Sequence, residues 1–412
     1  MSYIRKGLDM RNVVAMILAG GRGERMDILC HDRPKPALPF AGGLRVIDFS
    51  LSNCIHSQLS NIAVLVDYKR QYISAYLQAW RRVNASDKKF HILGPQNGCY
   101  KGTADAIYQN LDYLLRHGPE AVLVLAGDHV YRMDYRKILA FHEQMEADVT
   151  VGVVSVPIEQ AHRFGITAVD NQGRITDFAE KPMSPVSNLA SMGIYIFNKK
   201  VLVEHLFEDS TQSNSSHDFG QVIVPRMVRQ NKVFAYQFDD YWQDIGTLQA
   251  YYEANMELIR ELPSLSVNGK WPIFTTNNIM PPPEVIHEDG VKRSLISPGC
   301  VIKGRVENSI LSPGVIVEEQ AVVRNSVIMA NTMIGKHSVV DYCILDEDVN
   351  VGKFCYIGFG ASPTRRNAGI TALGKGVKVP SYSAIYSSCK VSADTRPINF
   401  VFDAVTSSPA IL

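Results

Sequence analysis

Three short stretches of the chain carry side chains suited to handling an anion. In the first, the apolar run through Leu18 and Ala19 stops abruptly in Gly20-Gly21-Arg22-Gly23. Glycine lets backbone approach a partner closely, and arginine beside such backbone points to an anionic partner. The same residues also suit a tight strand-to-helix turn that happens to carry arginine. In the second, Lys35 stands between Pro34 and Pro36, whose rings stiffen the backbone. A rigidly aimed ammonium suits a phosphate, whereas a solvated loop lysine is the commoner case. In the third, Asp128 follows the apolar run Ala121 to Ala126 and Gly127. A carboxylate there suits a magnesium ion or a turn cap.

The elements that must position these residues alternate. Val13 to Leu18, Ile62 to Val66, Ala121 to Ala126 and Val149 to Val154 read as buried strands, and Thr103 to Leu115 as a helix. Strand-helix alternation predicts an α/β fold, Rossmann-like, with a mostly parallel sheet and helices on both faces. Ligands of such sheets bind outside the carboxyl ends of the strands. Gly20 to Gly23 and Gly127-Asp128 should therefore reach one crevice. This domain is expected over 1–260. Residues 261–290, with Pro263, Pro272 and Pro281-Pro282-Pro283, read as a surface linker. Beyond it, Val315, Ala321, Val327, Met333, Val339, Leu345, Val351 and Ile357 recur every six residues. That period predicts a parallel β-helix in a domain over 291–412.

Composition excludes several classes. The 412 residues carry a net charge of +1, so no global basic field exists to hold nucleic acid or an anionic membrane. The longest early apolar run is too short to span a bilayer. Seven cysteines lie scattered with no CxxC pair, which argues against a zinc site or disulfide scaffold and fits a reducing, cytoplasmic setting.

A series of motifs in order resembles the sugar-nucleotide pyrophosphorylases, and within them the glucose-1-phosphate adenylyltransferase (ADP-glucose pyrophosphorylase) family, bacterial type. It comprises LAGGRGERM at 18–26, RPKPALPFAG at 33–42, IDFSLSNC at 47–54, YKGTADAIYQN at 100–110 and LAGDHVYRMDY at 125–135. FGITAVD at 164–170, FAEKP at 178–182, ASMGIYIF at 190–197, SSHDFG at 215–220 and YWQDIGTLQAYYEAN at 241–255 continue it. The resemblance implies transfer of an adenylyl group from ATP to glucose 1-phosphate, for glycogen or a similar α-glucan, and a left-handed β-helix. It places the triphosphate against Leu18 to Gly21, with Arg22 and Lys35 on the phosphates and Gly102 and Thr103 near the base. Thr103 also suits a helix cap. It implies glucose 1-phosphate contacts from Tyr100, Gly165, Glu180, Lys181 and Ser191, where Glu180 and Lys181 could otherwise be a surface ion pair of little worth. It implies Mg2+ on Asp128 and Asp244, the latter otherwise a loop cap, and a homotetramer whose loops link effector and substrate sites.

Departures from the family concern those loops. The family usually has arginine where Lys101 stands, a bulky aromatic at Cys99, glutamine at Asp67 and, in regulated members, a basic effector residue at Asp32. Asp67 and Cys99 are the candidate communication positions, and activation by a sugar bisphosphate is expected to be weak. Arg365 and Arg366 could form a different anion site. Three other readings stay open. One is a non-catalytic regulatory subunit, against which Lys35, Asp128, Lys181 and Asp244 all stand. Another is a different nucleotide or sugar. The last is acyl transfer on the β-helix, whose histidines His287 and His337 sit in no motif of that kind.

Overall fold

The computed structural model describes residues 9–259, 271–276, 280–360 and 369–394. Its first half is built on one nine-stranded sheet. Ala121–Ala126, Val13–Leu18, Asn61–Leu65 and Lys89–Leu93 run parallel in that order. Leu189–Asn198 joins the other side antiparallel to Ala121–Ala126 and to Val149–Ser155. Val233–Gln237 then pairs parallel with Val149–Ser155. The parallel strands are continuously apolar because both faces are covered. Successive side chains go to opposite faces: Ala15 and Ile17 join one buried cluster, Val14 and Met16 the other.

Two expectations need correction. The helix expected from Thr103 to Leu115 is two helices, Thr103–Tyr108 and Leu111–His117. Between them Asn110 leaves helical geometry at φ −113°, and its amide donates to Ala106 O and the Tyr100 hydroxyl, 2.9 Å each. An asparagine that bonds nearby backbone competes with the helix in this way. The linker is not wholly on the surface. Trp271 Nε1 donates to Asn53 Oδ1 at 2.9 Å, Phe274 O accepts from Trp80 Nε1 at 3.1 Å, and Ile273 is buried. Apolar residues among the prolines strap this piece onto two helices. Pro263 lies outside the described residues.

The second half is a β-helix of three six-stranded parallel sheets, the left-handed type that hexapeptide repeats form. It starts at Glu284–Val285, inside the stretch assigned to the linker. The strict six-residue ladder is also corrected. Ile316 pairs with Met333, Val322 with Val339 and Val327 with Ile344, so a coil takes 17 residues rather than 18. The residues facing inward are Val317, Val323, Ile328, Ile334, Val340, Leu345, Val351 and Ile357, none more than 1% exposed. Their spacing runs six, five, six, so Met333 and Val339 fall off the core and are half-buried. Left-handed corner residues keep the same interval, as at Gln320, His337 and Phe354. His337 is exposed there and stacks on Phe354, and His287 is exposed too.

The halves share a buried junction. Leu29, Leu38 and Phe40 pack in one cluster with Val327 and Ile344 of the β-helix. Tyr252 of the helix Leu248–Glu257 donates to Asn325 O at 2.8 Å. Beside them the fully buried Arg33 donates to Asp346 and, at 3.0 Å, to Glu347. Glu347 also accepts from Arg45 and Lys375 at 3.3 and 3.1 Å. All seven cysteines are free thiols. Among the described residues no helix is long and apolar enough to cross a membrane.

Candidate active site

A cavity of about 730 Å3 opens where the parallel strands end, at Leu18, Leu65 and Ala126. The glycine turn forms one wall. Gly21 has open space where a Cβ would stand, and Arg22 is exposed at its rim with its guanidinium 5.9 Å from the Tyr68 ring centre. Gly23 turns the chain at φ +70°, the left-handed region that favours glycine. Ala19 lies behind the wall, fully buried, its N–H donating to Leu65 O at 2.9 Å.

The opposite wall is Tyr100, Gly102 and Thr103. A Cβ on Gly102 would lie 2.3 Å from His217 O, so only glycine permits this approach. That carbonyl accepts from the N–H groups of Ala104 and Asp105 and caps the helix. Thr103 therefore does not act as the cap. Its hydroxyl donates to Asp218 Oδ2 at 2.8 Å and accepts from Phe219 N–H at 2.9 Å. Asp67 ties the two walls together, since its Oδ2 accepts from Tyr100 N–H at 3.0 Å and its Cβ packs on Gly20. Cys99 is exposed outside the cavity, its carbonyl accepting from Gln109.

The charges gather at the strand ends. Lys35 is only 6% exposed, not a solvated loop lysine. Its Nζ donates to Asp128 Oδ2 and to Asp244 Oδ1, both at 2.9 Å. Asp244 is on a strand rather than in a loop: Trp242–Asp244 pairs with His129–Tyr131, setting Asp244 opposite His129. Burial opposes ionisation of both carboxyls, but the charge and hydrogen bonds of Lys35 outweigh it and hold them below the usual carboxylate range. Burial likewise opposes the charge on Lys35, and the two carboxylates reverse that and raise its pKa. Donor atoms of Asp128, His129 and Asp244 lie within 4.8 Å of one another. Two carboxylates and one imidazole so placed suit a divalent cation.

Gly165, Glu180 and Lys181 form a second group. Glu180 and Gly165 are cross-strand partners. A Cβ on Gly165 would approach Glu180 Oε2 to 2.8 Å, and one on Gly220 to 2.6 Å. Lys181, at φ +48°, donates to Glu180 Oε1 at 2.7 Å. Ser191 is buried and donates to the Tyr195 hydroxyl at 3.2 Å. Asp218 joins the groups: it lines the cavity and its carboxylate is 3.4 Å from where a Gly220 Cβ would stand. The sequence reading missed Asp218 and His129, although both sit in quoted motifs. Adjacency to Asp128 was the available signal for His129.

Comparison with known proteins gives the family. The nucleotidyl transferase family pattern matches residues 14–261, and a GlmU-like C-terminal hexapeptide pattern matches 281–388. A glucose-1-phosphate adenylyltransferase of Acetivibrio thermocellus is 40% identical over 391 residues, spanning 90% of this chain and 91% of its own. One from Thermomicrobium roseum is 42% identical, spanning 98% of each. The chain belongs to the glucose-1-phosphate adenylyltransferase family. A third member, from Fervidobacterium nodosum, is 42% identical over 85% of this chain and 86% of its own. Nucleotidyltransferases of this family generally use divalent metal ions, and the Asp128, His129 and Asp244 donor set fits one.

Proposed function

We propose that the protein transfers the adenylyl group of ATP to α-D-glucose 1-phosphate, giving ADP-glucose and pyrophosphate for glycogen or similar α-glucan synthesis. The observation that carries this reading is Lys35, fixed between Asp128 and Asp244 at the floor of a glycine-walled cavity. Family membership supplies the substrates, because relatives over nearly the whole chain bear the adenylyltransferase name.

A phosphate oxygen of glucose 1-phosphate attacks the α-phosphorus of ATP. The bond from that phosphorus to the bridging oxygen breaks in line, and pyrophosphate leaves with the electron pair. The nucleophile is already an anion near neutral pH, so no general base is required. The barrier lies in bringing two polyanions together and in the charge on the leaving group, which positioning and fixed cations lower. The backbone of Leu18 to Gly21 takes the triphosphate, and Arg22 and Lys35 neutralise it. Gly102 and Thr103 border the adenine. Glu180 accepts from sugar hydroxyls, Lys181 meets the sugar phosphate, and Tyr100, Gly165 and Ser191 complete that subsite. Asp128 and Asp244 would hold Mg2+, which would supply further charge neutralisation at the phosphates.

A β-helix exposes edges and ends that need covering. Phe354, Phe359, Tyr382 and Tyr386 are exposed on this one, which fits assembly as a homotetramer. The reading places the enzyme in the cytoplasm, where its substrates are made. The test is pyrophosphate release with glucose 1-phosphate and ATP, UTP, GTP or dTTP, with and without Mg2+. Release with ATP that depends on Mg2+ is expected. Preference for another nucleotide would replace the adenylyl assignment.

A further inference from the structure

Beside the two carboxylates stands a nitrogen donor that the proposed reaction does not use. His129 follows Asp128 in the chain and faces Asp244 across a two-stranded ribbon. One rigid element therefore presents all three groups.

The hydrogen bonding of the ring fixes which nitrogen is available. His129 Nδ1 lies 3.0 Å from the carbonyl oxygen of Met192. A carbonyl only accepts, so Nδ1 carries the proton. The ring is packed edge-on against Trp242, with centroids 5.1 Å apart and planes at 80°. Behind it Gly193 turns at φ +65°, and a Cβ there would stand 3.4 Å from Cε1. Nε2 faces Asp128 Oδ1 at 3.6 Å and Asp244 Oδ1 at 3.8 Å. Both distances exceed an N–H to oxygen hydrogen bond. With the proton on Nδ1, Nε2 carries the lone pair of the neutral ring and faces the space the two carboxylates share. Metal-binding histidines have this arrangement, with the far nitrogen donating to a carbonyl that sets tautomer and ring angle.

We propose that His129 Nε2 is a third protein ligand, with Asp128 and Asp244, of the divalent cation in this site. The inference rests on the metal assigned under the proposed function and deepens it. An all-oxygen site suits Mg2+, whereas one imidazole among carboxylates tilts the site toward Mn2+ and Co2+.

The probe is Mn2+ bound to the full-length protein with pyrophosphate, a phosphate ligand that contains no nitrogen. Electron spin echo spectra should show modulation from a directly bound imidazole nitrogen, altered in the expected way by 15N-histidine labelling. His129→Gln should lose that modulation and weaken Mn2+ binding by roughly tenfold or more, with the Mg2+ affinity falling less. The wild-type spectrum decides the question even if the variant folds poorly. Mn2+ that is bound, is weakened by Asp128→Asn and lacks histidine modulation would overturn the ligand assignment and leave the proposed reaction standing. Mn2+ binding that ignores Asp128→Asn would overturn both.

Discussion

Two buried charge clusters hang from the same loop, one from Arg33 and one from Lys35, and they do different work. Arg33 and Asp346 are each 1% exposed at the side chain, and Glu347 closes the pair from the other side. None of these three side chains lines the catalytic cavity. Lys35 meets Asp128 and Asp244 at the floor of the crevice, where the Asp128 side chain is 32% exposed. The balance of burial against charge differs too. At Asp346 burial outweighs Arg33 and raises the carboxyl pKa, while at Asp128 Lys35 wins and lowers it. The planar arginine fork suits a fixed pair, and the lysine point charge can exchange partners. A closed cluster locks the β-helix to the catalytic half, and an open one keeps its charges available to a ligand.

The largest effect should come from breaking the closed cluster. Arg33→Met leaves Asp346 and Glu347 without their principal partner at the junction. It should lower unfolding stability by about 3–5 kcal/mol, as loss of one partner of a buried pair does. Urea denaturation reads this, and wild-type stability would mean that the junction does not depend on the pair.

A third pair sharpens the contrast. Lys181 and Glu180 are 53% and 21% exposed, so neither burial nor closure gives them a structural role. Lys181→Gln should leave stability unchanged and reduce kcat/KM for glucose 1-phosphate by roughly 2–3 kcal/mol, the worth of one charged contact to a phosphate. Equal increases in KM for both substrates would place Lys181 in the shared phosphate region instead.

Regulation should give a smaller change. A second cavity of about 550 Å3 lies between the halves, with Asp27, Asp32 and Asp394 facing Arg22 and Lys375. Asp32 already sits 3.1 Å from His31 and 4.0 Å from Lys69. Carboxylates there repel a sugar bisphosphate. Fructose 1,6-bisphosphate at sub-saturating ATP should raise kcat/KM less than tenfold, a coupling below about 1.4 kcal/mol. A larger rise would show that the remaining cations dominate. Arg365 and Arg366, the alternative anion site, lie outside the described residues.

The smallest expected effect is in acid. Asp128 has a lowered folded-state pKa, so its contribution is present above the unfolded value of about 3.9 and is lost as pH falls through the folded one. Asp346 has a raised one, so ionisation disfavours folding and acidification relieves it. Asp128→Asn should therefore lose less stability than wild type between about pH 4 and 2, and Asp346→Asn more between about pH 7 and 4. Matching slopes for the two variants would remove the distinction between the clusters.

Much of this was legible in the sequence. The strand ends at Leu18 and Ala126 placed the glycine turn and Asp128 in one crevice because apolar runs and their terminators are local signals. The six-residue pattern gave the β-helix but not its 17-residue coil, since a shortened corner shifts the inward position without changing residue class. Asp244 came only from resemblance, because its pairing with His129 is made across 115 residues of chain. The junction ions were invisible for the same reason: nothing local in Arg33 names Asp346 as its partner.

The measurement that most directly tests the open cluster as the chemical one is ADP-glucose formation by Asp128→Asn at saturating ATP, glucose 1-phosphate and Mg2+. The variant should keep wild-type secondary structure and lose about 3 kcal/mol or more of transition-state stabilisation, a fall beyond roughly a hundredfold. Turnover near that of wild type under those conditions would contradict the account.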